Sequence, residues 1–315
     1  MFCTFIIPSL GRPTLLRAVE SVLKQDFTSD TYQIVVVNDS GKDLQPSFLP
    51  HSERISVVNT NKRERSFSRN VGAALAKGKY LWFLDDDDWI LPEALNNFWN
   101  LANQEPRAIW LYGGIQIVDE HERILGEINS GFQGNSFAKI MGGAWAPLQA
   151  SIIQAQAFFE MGGFSPFVCG TEDEDLCRRT AYFGEFANTP EVVACLFRGQ
   201  AWNTSTNYLR APDDTKYSRD LILSKPGAFT RLRDSADSNY WHGRILRVYL
   251  STISWNVQKK HFFVALSRFL YSMALLGLSV HRLFSPGYWA GVMADHVPET
   301  LHFVMKEYER RTLLS

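Results

Sequence analysis

Four consecutive carboxylates, Asp85-Asp86-Asp87-Asp88, follow the apolar run Tyr80-Leu81-Trp82-Phe83-Leu84 and precede Trp89. Like charges this close oppose one another's ionisation, most strongly where a strand leaves an apolar core. Such a cluster persists by facing bulk water or by meeting a cation. Hard divalent ions take oxygen ligands, and Mg²⁺ or Mn²⁺ commonly joins one or two carboxylates to substrate phosphates. A metal–diphosphate site therefore accounts for the acidity. The structural alternative is an acidic loop in which Asp88 or a neighbour caps a helix near Pro92-Glu93.

A second acidic group, Glu172-Asp173-Glu174-Asp175, opens an amphipathic segment. A helix N-terminus gains up to about 1 kcal/mol from each carboxylate, but a cap needs one and four are present. One of them is a candidate general base that takes a proton from an incoming hydroxyl. Asp39, in Val37-Asn38-Asp39-Ser40-Gly41, closes another apolar run. A carboxylate there can accept from a base N–H or a ribose hydroxyl, or can simply serve a turn. The stretch Lys62-Arg63-Glu64-Arg65-Ser66-Phe67-Ser68-Arg69-Asn70 leads basic residues into a helix. Arginines at a helix N-terminus oppose the macrodipole, so they call for a negative partner, either the aspartate tetrad or a phosphate, or else for solvent. In the Gly-rich middle, Trp145 and Trp202 are candidates for stacking on an acceptor sugar, with burial in the core as the alternative.

Positioning these groups requires strands that end at one rim. Phe5-Ile6-Ile7, Ile34-Val35-Val36-Val37, Ile55-Ser56-Val57-Val58, Tyr80–Leu84 and Ile109-Trp110-Leu111-Tyr112 read as short, continuously apolar strands. Between the first two, Leu15, Leu16, Val19, Val22 and Leu23 recur at helical spacing, and Phe67, Val71 and Leu75 mark a second helix. Apolar strands alternating with helices predict an α/β fold with a mostly parallel central sheet covered on both faces, whose ligands lie beyond the carboxyl ends of the strands. The middle, from about 125 to 235, is less regular. From about 240 the pattern becomes helical, with Phe262 to Val280 and Val297 to Tyr308 as further segments. Arg268 and Arg282 leave 13 uncharged residues between them, fewer than the roughly 20 that span a bilayer. This C-terminal helical appendage is expected either to pack on the catalytic domain or to lie peripherally on a membrane surface.

Composition narrows the function classes. The chain of 315 residues is 45% hydrophobic and 21% charged, which excludes a disordered or fibrous protein. Residues 1–240 hold 23 Lys+Arg against 29 Asp+Glu, while residues 241–315 hold 9 against 4. An acidic main domain does not fit a nucleic-acid binder. Four scattered cysteines without a C-x-x-C pair argue against a zinc site and for a reducing compartment. Met1 runs straight into a strand pattern with no basic n-region, so a cytoplasmic protein is expected.

Several of these segments occur together in a recognisable order: Phe5-Ile6-Ile7-Pro8-Ser9, Val35-Val36-Val37-Asn38-Asp39, Ser68-Arg69-Asn70-x-Gly72, Phe83-Leu84-Asp85-Asp86-Asp87-Asp88, Gly162-Gly163-Phe164 and Glu172-Asp173-x-Asp175-Leu176. The set resembles the inverting family 2 glycosyltransferases of the GT-A fold, over residues 2 to about 200. The resemblance implies a Rossmann-like catalytic domain, set at 1–235 with a nucleotide-binding half (1–115) and an acceptor half (116–235), and the helical pattern adds a separate region over 236–315. It implies a nucleotide-sugar donor bordered by Pro8, Ser9 and Arg12, with Asp39 on the base, usually uracil, and Arg65 and Arg69 where the family has nucleotide-contacting or structural basic residues. Asp85-x-Asp87 matches the family's D-x-D motif. Asp87 would bind Mn²⁺ or Mg²⁺, while Asp85 and Asp86 would touch ribose, sugar or the metal's water. Asp173 would be the catalytic base; the acceptor, a saccharide or lipid-linked saccharide of cell-surface polysaccharide synthesis, is expected beside Glu172 and, from the stacking argument above, Trp145 and Trp202. Asn38 stands where the family commonly has an aspartate. Two rivals remain at this point. A sugar nucleotidyltransferase would carry a Gly-rich basic loop where this chain has Ser9-Leu10-Gly11-Arg12-Pro13. A non-catalytic sugar-binding relative would have no need of both acidic groups.

Overall fold

The computed structural model describes residues 1–44, 48–60, 62–168, 170–198, 211–258, 260–278 and 280–294. Its first part alternates as the apolar spacing requires: β1 (Cys3–Ser9), α1 (Thr14–Leu23), β2 (Tyr32–Asn38), β3 (Ile55–Asn59), α2 (Arg65–Ala74) and β4 (Tyr80–Phe83). β1 lies between β2 and β4, parallel to both, with Ile6 opposite Val35 on one side and Phe83 on the other. Side chains alternate across the sheet. Phe5 and Ile7 join a core with Leu15, Val19 and Val22 of α1, all fully buried. Burial of each such aliphatic side chain stabilises by about 1.5–3 kcal/mol. Phe5 stacks on Trp82 at 4.9 Å, and the Trp82 indole N–H donates to the Gln149 carbonyl at 2.7 Å. Ile6 and Val37 face the other way, onto α2.

The chain continues as β5 (Trp89–Ile90), α3 (Ala94–Gln104), β6 (Ala108–Val118), β7 (Ile124–Ile128), α4 (Phe137–Met141), β8 (Ser151–Gln154), α5 (Ala155–Glu160), α6 (Glu172–Phe183), β9 (Glu185–Phe197) and α7 (Ala211–Leu223). The nine strands form one sheet in the order β3-β2-β1-β4-β8-β6-β9-β5, with β7 on β6. Parallel pairing runs from β3 to β4 and recurs between β6 and β9, whereas β8 is antiparallel to both β4 and β6. The α/β class therefore stands, and the sheet is mixed beyond β4. The apolar stretch at 109–112 does not sit beside β4, because β8 returns antiparallel between them, and an antiparallel neighbour needs no helical crossover.

The described residues divide into two compact units, Met1–Asn135 with Trp145–Ile222, and 136–144 with 223–294. The second comprises α4, α8 (Ala228–Asp234), α9 (Ser238–Gln258), α10 (Phe262–Leu278), a 3-10 turn over Val280–Phe284 and α11 (Pro286–Met293). It begins before the expected boundary at 235, because α8 buries Ala228 and Leu232 within it. Arg244, 2% exposed, fixes its interior by donating to the carbonyls of Gly142 and Ala294. The segment 297–308, expected as a helix, lies outside the described residues.

Gly72 lets α2 approach the sheet closely. A Cβ there would press into the Ile6 side chain and come within 3.0 Å of Val37 Cγ2. Gly72→Ala is expected to destabilise the fold by about 1–3 kcal/mol, as overpacking of a filled core does, measured by urea unfolding.

Candidate active site

Beyond β4 the chain reaches the rim of the sheet. Leu84 N–H still pairs with the Ile6 carbonyl at 3.0 Å, and the Asp88 N–H then closes a turn onto the Asp85 carbonyl at 3.2 Å. The turn sends the four carboxylates in different directions. Asp85 meets Arg69 Nη2 at 2.7 Å and accepts from the Gln149 amide at 3.1 Å. Asp86 folds back to accept from Ser9 Oγ at 2.6 Å, with Arg12 at 3.5 Å. Asp87 pairs with Arg12 at 3.0 Å, and its carbonyl accepts from Arg17 at 3.0 Å. Asp88 is buried and accepts from the Phe197 N–H at 2.9 Å. The helix-cap alternative for Asp88 is thereby overturned, since its Oδ1 accepts from β9, and the N-terminus of α3 is met instead by Gln25 Oε1, which accepts from the Leu95 N–H at 3.1 Å.

One oxygen each from Asp85, Asp87 and Asp88 lie within 4.8 Å of one another. An all-oxygen trio of this kind fits a hard divalent cation. The electrostatics agree. Burial pushes Asp86 up to about 6, with Asp87 and Asp85 adding to the effect against the Ser9 hydrogen bond and Arg12. Burial and then Asp85 push Asp87 up, and Asp88 is raised well above the usual range by burial and its two acidic neighbours. Asp85 goes the other way: burial would raise it, but Arg69 and then Arg65 bring it down to about 2. A metal held by ionised carboxylates would reverse the upward shifts and release protons as it binds.

α2 gathers the rest of the rim. Glu64 caps the helix, accepting from the N–H groups of Ser66 and Phe67, so the basic N-terminus is neutralised by its own chain. Ser68 Oγ donates to Asp39 at 3.0 Å, and Arg69 reaches Asp85 and Glu172. Asn70 both donates to the Phe164 carbonyl and accepts from the Phe164 N–H, each at 2.9 Å. Gly163 beside it adopts φ +66, and a Cβ there would stand 2.6 Å from Asn70 Oδ1. Arg69 itself lies over the Phe164 ring at 5.3 Å and is 3% exposed.

Asp39 is buried, and its carboxylate accepts from Thr60 Oγ1, the Glu64 N–H and Ser68 Oγ at 2.8–3.0 Å. Of roughly four acceptor positions on a carboxylate, about one remains. Asn38 donates to the Lys42 carbonyl at 2.6 Å and to Asn59 Oδ1 at 2.8 Å, which an aspartate could not do.

The second acidic group starts α6. Glu172 is buried, with Oε1 on Arg69 at 3.0 Å and Oε2 accepting from the Gly170 N–H at 2.9 Å. Glu174 and Asp175 pair with Arg178 and Arg179 one turn on. Asp173 makes no ion pair among the described residues and accepts only the Glu174 N–H, at 2.9 Å. Burial, with Glu172 and Glu174 alongside, pushes it up to about 6.

A cavity of about 1060 Å³ joins these elements. Pro8, Ser9, Arg12, Asp39, Arg65, Arg69, Asp85, Asp86, Asp87, Trp145, Glu172 and Asp173 all line it. Trp202 lies outside the described residues. Sequence reasoning missed three contributors. Asp88 was visible in the tetrad, but its place in the oxygen trio depends on β9. Gln149 and Arg198, also in the lining, come from segments with no local pattern to mark them.

A carboxylate trio and a separate raised carboxylate facing one cavity suit group transfer from a charged donor. Residues 4–165 match the family model described as Glycosyl transferase family 2. The chain belongs to that family. An uncharacterized glycosyltransferase of Haemophilus influenzae is 27% identical over 224 residues, covering 69% of this chain and 76% of that protein. The poly(ribitol-phosphate) beta-N-acetylglucosaminyltransferase TarP of Staphylococcus aureus is 22% identical over 272 residues, covering 81% and 75%. Among solved structures, S. aureus TarS 1-349 in complex with UDP-GlcNAc superposes with a TM-score of 0.65 at 15% identity, over 98% of this chain and 92% of that one. That likeness carries the fold, which is GT-A with a helical C-terminal part.

Arg69→Leu is expected to lower the unfolding free energy by about 3 kcal/mol, because it strands two buried or half-buried carboxylates. Urea titration measures this. Adding Glu172→Gln in the same background should recover part of the loss by removing one stranded charge.

Proposed function

We propose that this protein transfers a glycosyl group from a UDP-sugar to a hydroxyl of a saccharide or lipid-linked saccharide, with inversion at the anomeric carbon. The observation that carries the reading is the position of Asp173: a carboxylate held up to about 6, without an ion pair among the described residues, in the same cavity as Asp85, Asp87 and Asp88. Family membership and the UDP-GlcNAc complex of TarS support the donor class.

The nucleoside half of the donor lies along Pro8, Ser9 and Arg12, with the remaining acceptor position of Asp39 toward a base N–H and Arg65 toward the nucleotide. Asp87, Asp85 and Asp88 would hold Mn²⁺ or Mg²⁺, which when bound offsets the charge that develops on the leaving diphosphate. Asp86, tied to Ser9 and Arg12, keeps the first loop against the metal turn and borders the ribose. Asp173 takes the acceptor's hydroxyl proton as that oxygen attacks the anomeric carbon. The bond from that carbon to the diphosphate oxygen breaks on the opposite face, and its electron pair leaves with the nucleoside diphosphate. One displacement of this kind inverts configuration. Arg69 touches no reacting atom in this scheme and positions Asp85 relative to α6. Trp145 offers a ring face to the acceptor.

Incubation with UDP-sugars and Mn²⁺ should release UDP, whereas formation of UTP and a sugar 1-phosphate when pyrophosphate is supplied would point to nucleotidyl transfer. Asp173→Asn should cut turnover by about 10²–10⁴-fold, the usual contribution of a positioned base, with donor binding intact by calorimetry. Asp87→Ala should weaken donor binding in Mn²⁺ while leaving metal-free binding unchanged. Because the base works only when ionised, turnover of the unsubstituted enzyme should fall as pH drops through about 6. A flat pH–rate profile from 5 to 8 would remove Asp173 from the role.

A further inference from the structure

The helical second unit carries a surface that glycosyl transfer does not use. From Ser238 to Ala294 the sequence contains six cationic residues, Arg244, Arg247, Lys259, Lys260, Arg268 and Arg282, and no Asp or Glu. Within this stretch, and among its described side chains, α10 buries only a narrow stripe. Ala265 and Ser272, two turns apart, are 5% and 1% exposed and mark the side packed on α9. Phe262, Phe263, Leu266, Phe269, Leu270 and Met273 recur at i, i+1, i+4, i+7, i+8 and i+11, which places them on one continuous helix face. Their exposure runs from 47% at Phe269 to 91% at Phe263. At 1.5 Å per residue that face is about 17 Å long. A contiguous apolar surface of this extent in water marks an interaction site.

The charge pattern identifies what covers it. A second copy laid face to face would set one acid-free cationic stretch against another with no countercharge. An anionic lipid surface supplies the countercharge along its whole extent. The ends of the apolar face agree, since Lys260-His261 directly precede α10 and His281-Arg282 follow it. Basic residues flanking an apolar face suit a helix lying in the plane of the headgroups. Among the described residues no helix is long and apolar enough to cross a membrane. We propose that α10 is an interfacial anchor, seating Phe262, Phe263, Leu266, Phe269, Leu270 and Met273 at the acyl boundary of an anionic bilayer, with Lys260 at the headgroup phosphates. The proposal stands independently of the transfer reaction.

Flotation of the full-length protein with phosphatidylcholine vesicles, with and without phosphatidylglycerol, tests it. Binding to the anionic vesicles is expected to exceed binding to the neutral ones by at least about tenfold and to weaken as salt is raised. Phe263→Ser should reduce it about tenfold, the effect of withdrawing one phenyl group from the apolar phase, and Phe262→Ser with Phe263→Ser should reduce it further. Both side chains are mostly exposed, so the melting temperature and UDP-sugar binding of these variants should match those of the unsubstituted protein. Absence of vesicle binding, or binding that neither the lipid charge nor these substitutions change, would overturn the proposal. So would a dimer in sedimentation analysis that the same substitutions dissociate while vesicles go unbound, which would give the face to a second copy.

Discussion

The rim of this sheet is held together by one guanidinium. Arg69, almost wholly buried, reaches the end of β4 through Asp85 and the start of α6 through Glu172. These two acidic elements are 87 residues apart in sequence and carry the same charge, so without a cation between them they would repel. The bidentate geometry of arginine allows one side chain to serve both, which a lysine's point charge could not do with the same directionality. The carboxylate trio and the raised Asp173 face a common cavity because this bridge fixes the distance between them.

The same bridge divides the labour among the acids. Glu172, paired with Arg69, is committed to position, while Asp85 is held by the same guanidinium and still offers an oxygen to the trio. Asp87, Asp88 and Asp173 are left with pKa values raised first by burial and then by their neighbouring carboxylates. In the proposed reaction such a site would take a divalent cation at one end and a proton at the other. Pairs of carboxylates whose environments push them apart in this manner divide acid and base roles in other active sites.

Much of this was readable in the sequence. The first four strands and α1 and α2 follow from apolar spacing, since parallel strands buried on both faces leave unbroken hydrophobic runs. The residues of Ser68-Arg69-Asn70-x-Gly72 stood out as a motif, but the reason for each appears only in three dimensions: Ser68 on Asp39, Arg69 on two acids, Asn70 on Phe164, Gly72 against Ile6. The arginines were expected to need a negative partner, and Arg69 finds the tetrad. What stayed hidden depends on strands far apart in the chain. β8 enters between β4 and β6 from residue 151 and brings Gln149 to Asp85, and β9 supplies the Phe197 N–H that commits Asp88. β8, at four residues, is too short to display a periodicity, and the partners that β9 pairs with lie too far off in the chain for local spacing to reveal them.

Asn70 sets a limit on which look-alike residues this fold tolerates. Aspartate is nearly the same size and shape, but it has no hydrogen to give, and the Phe164 carbonyl requires a donor just as the Phe164 amide requires an acceptor. A carboxylate at this position would loosen the loop that carries the aromatic ring beneath Arg69 and place a further negative charge near the guanidinium. Spontaneous loss of ammonia from this one amide would thus unsettle the bridge without altering any residue that meets substrate.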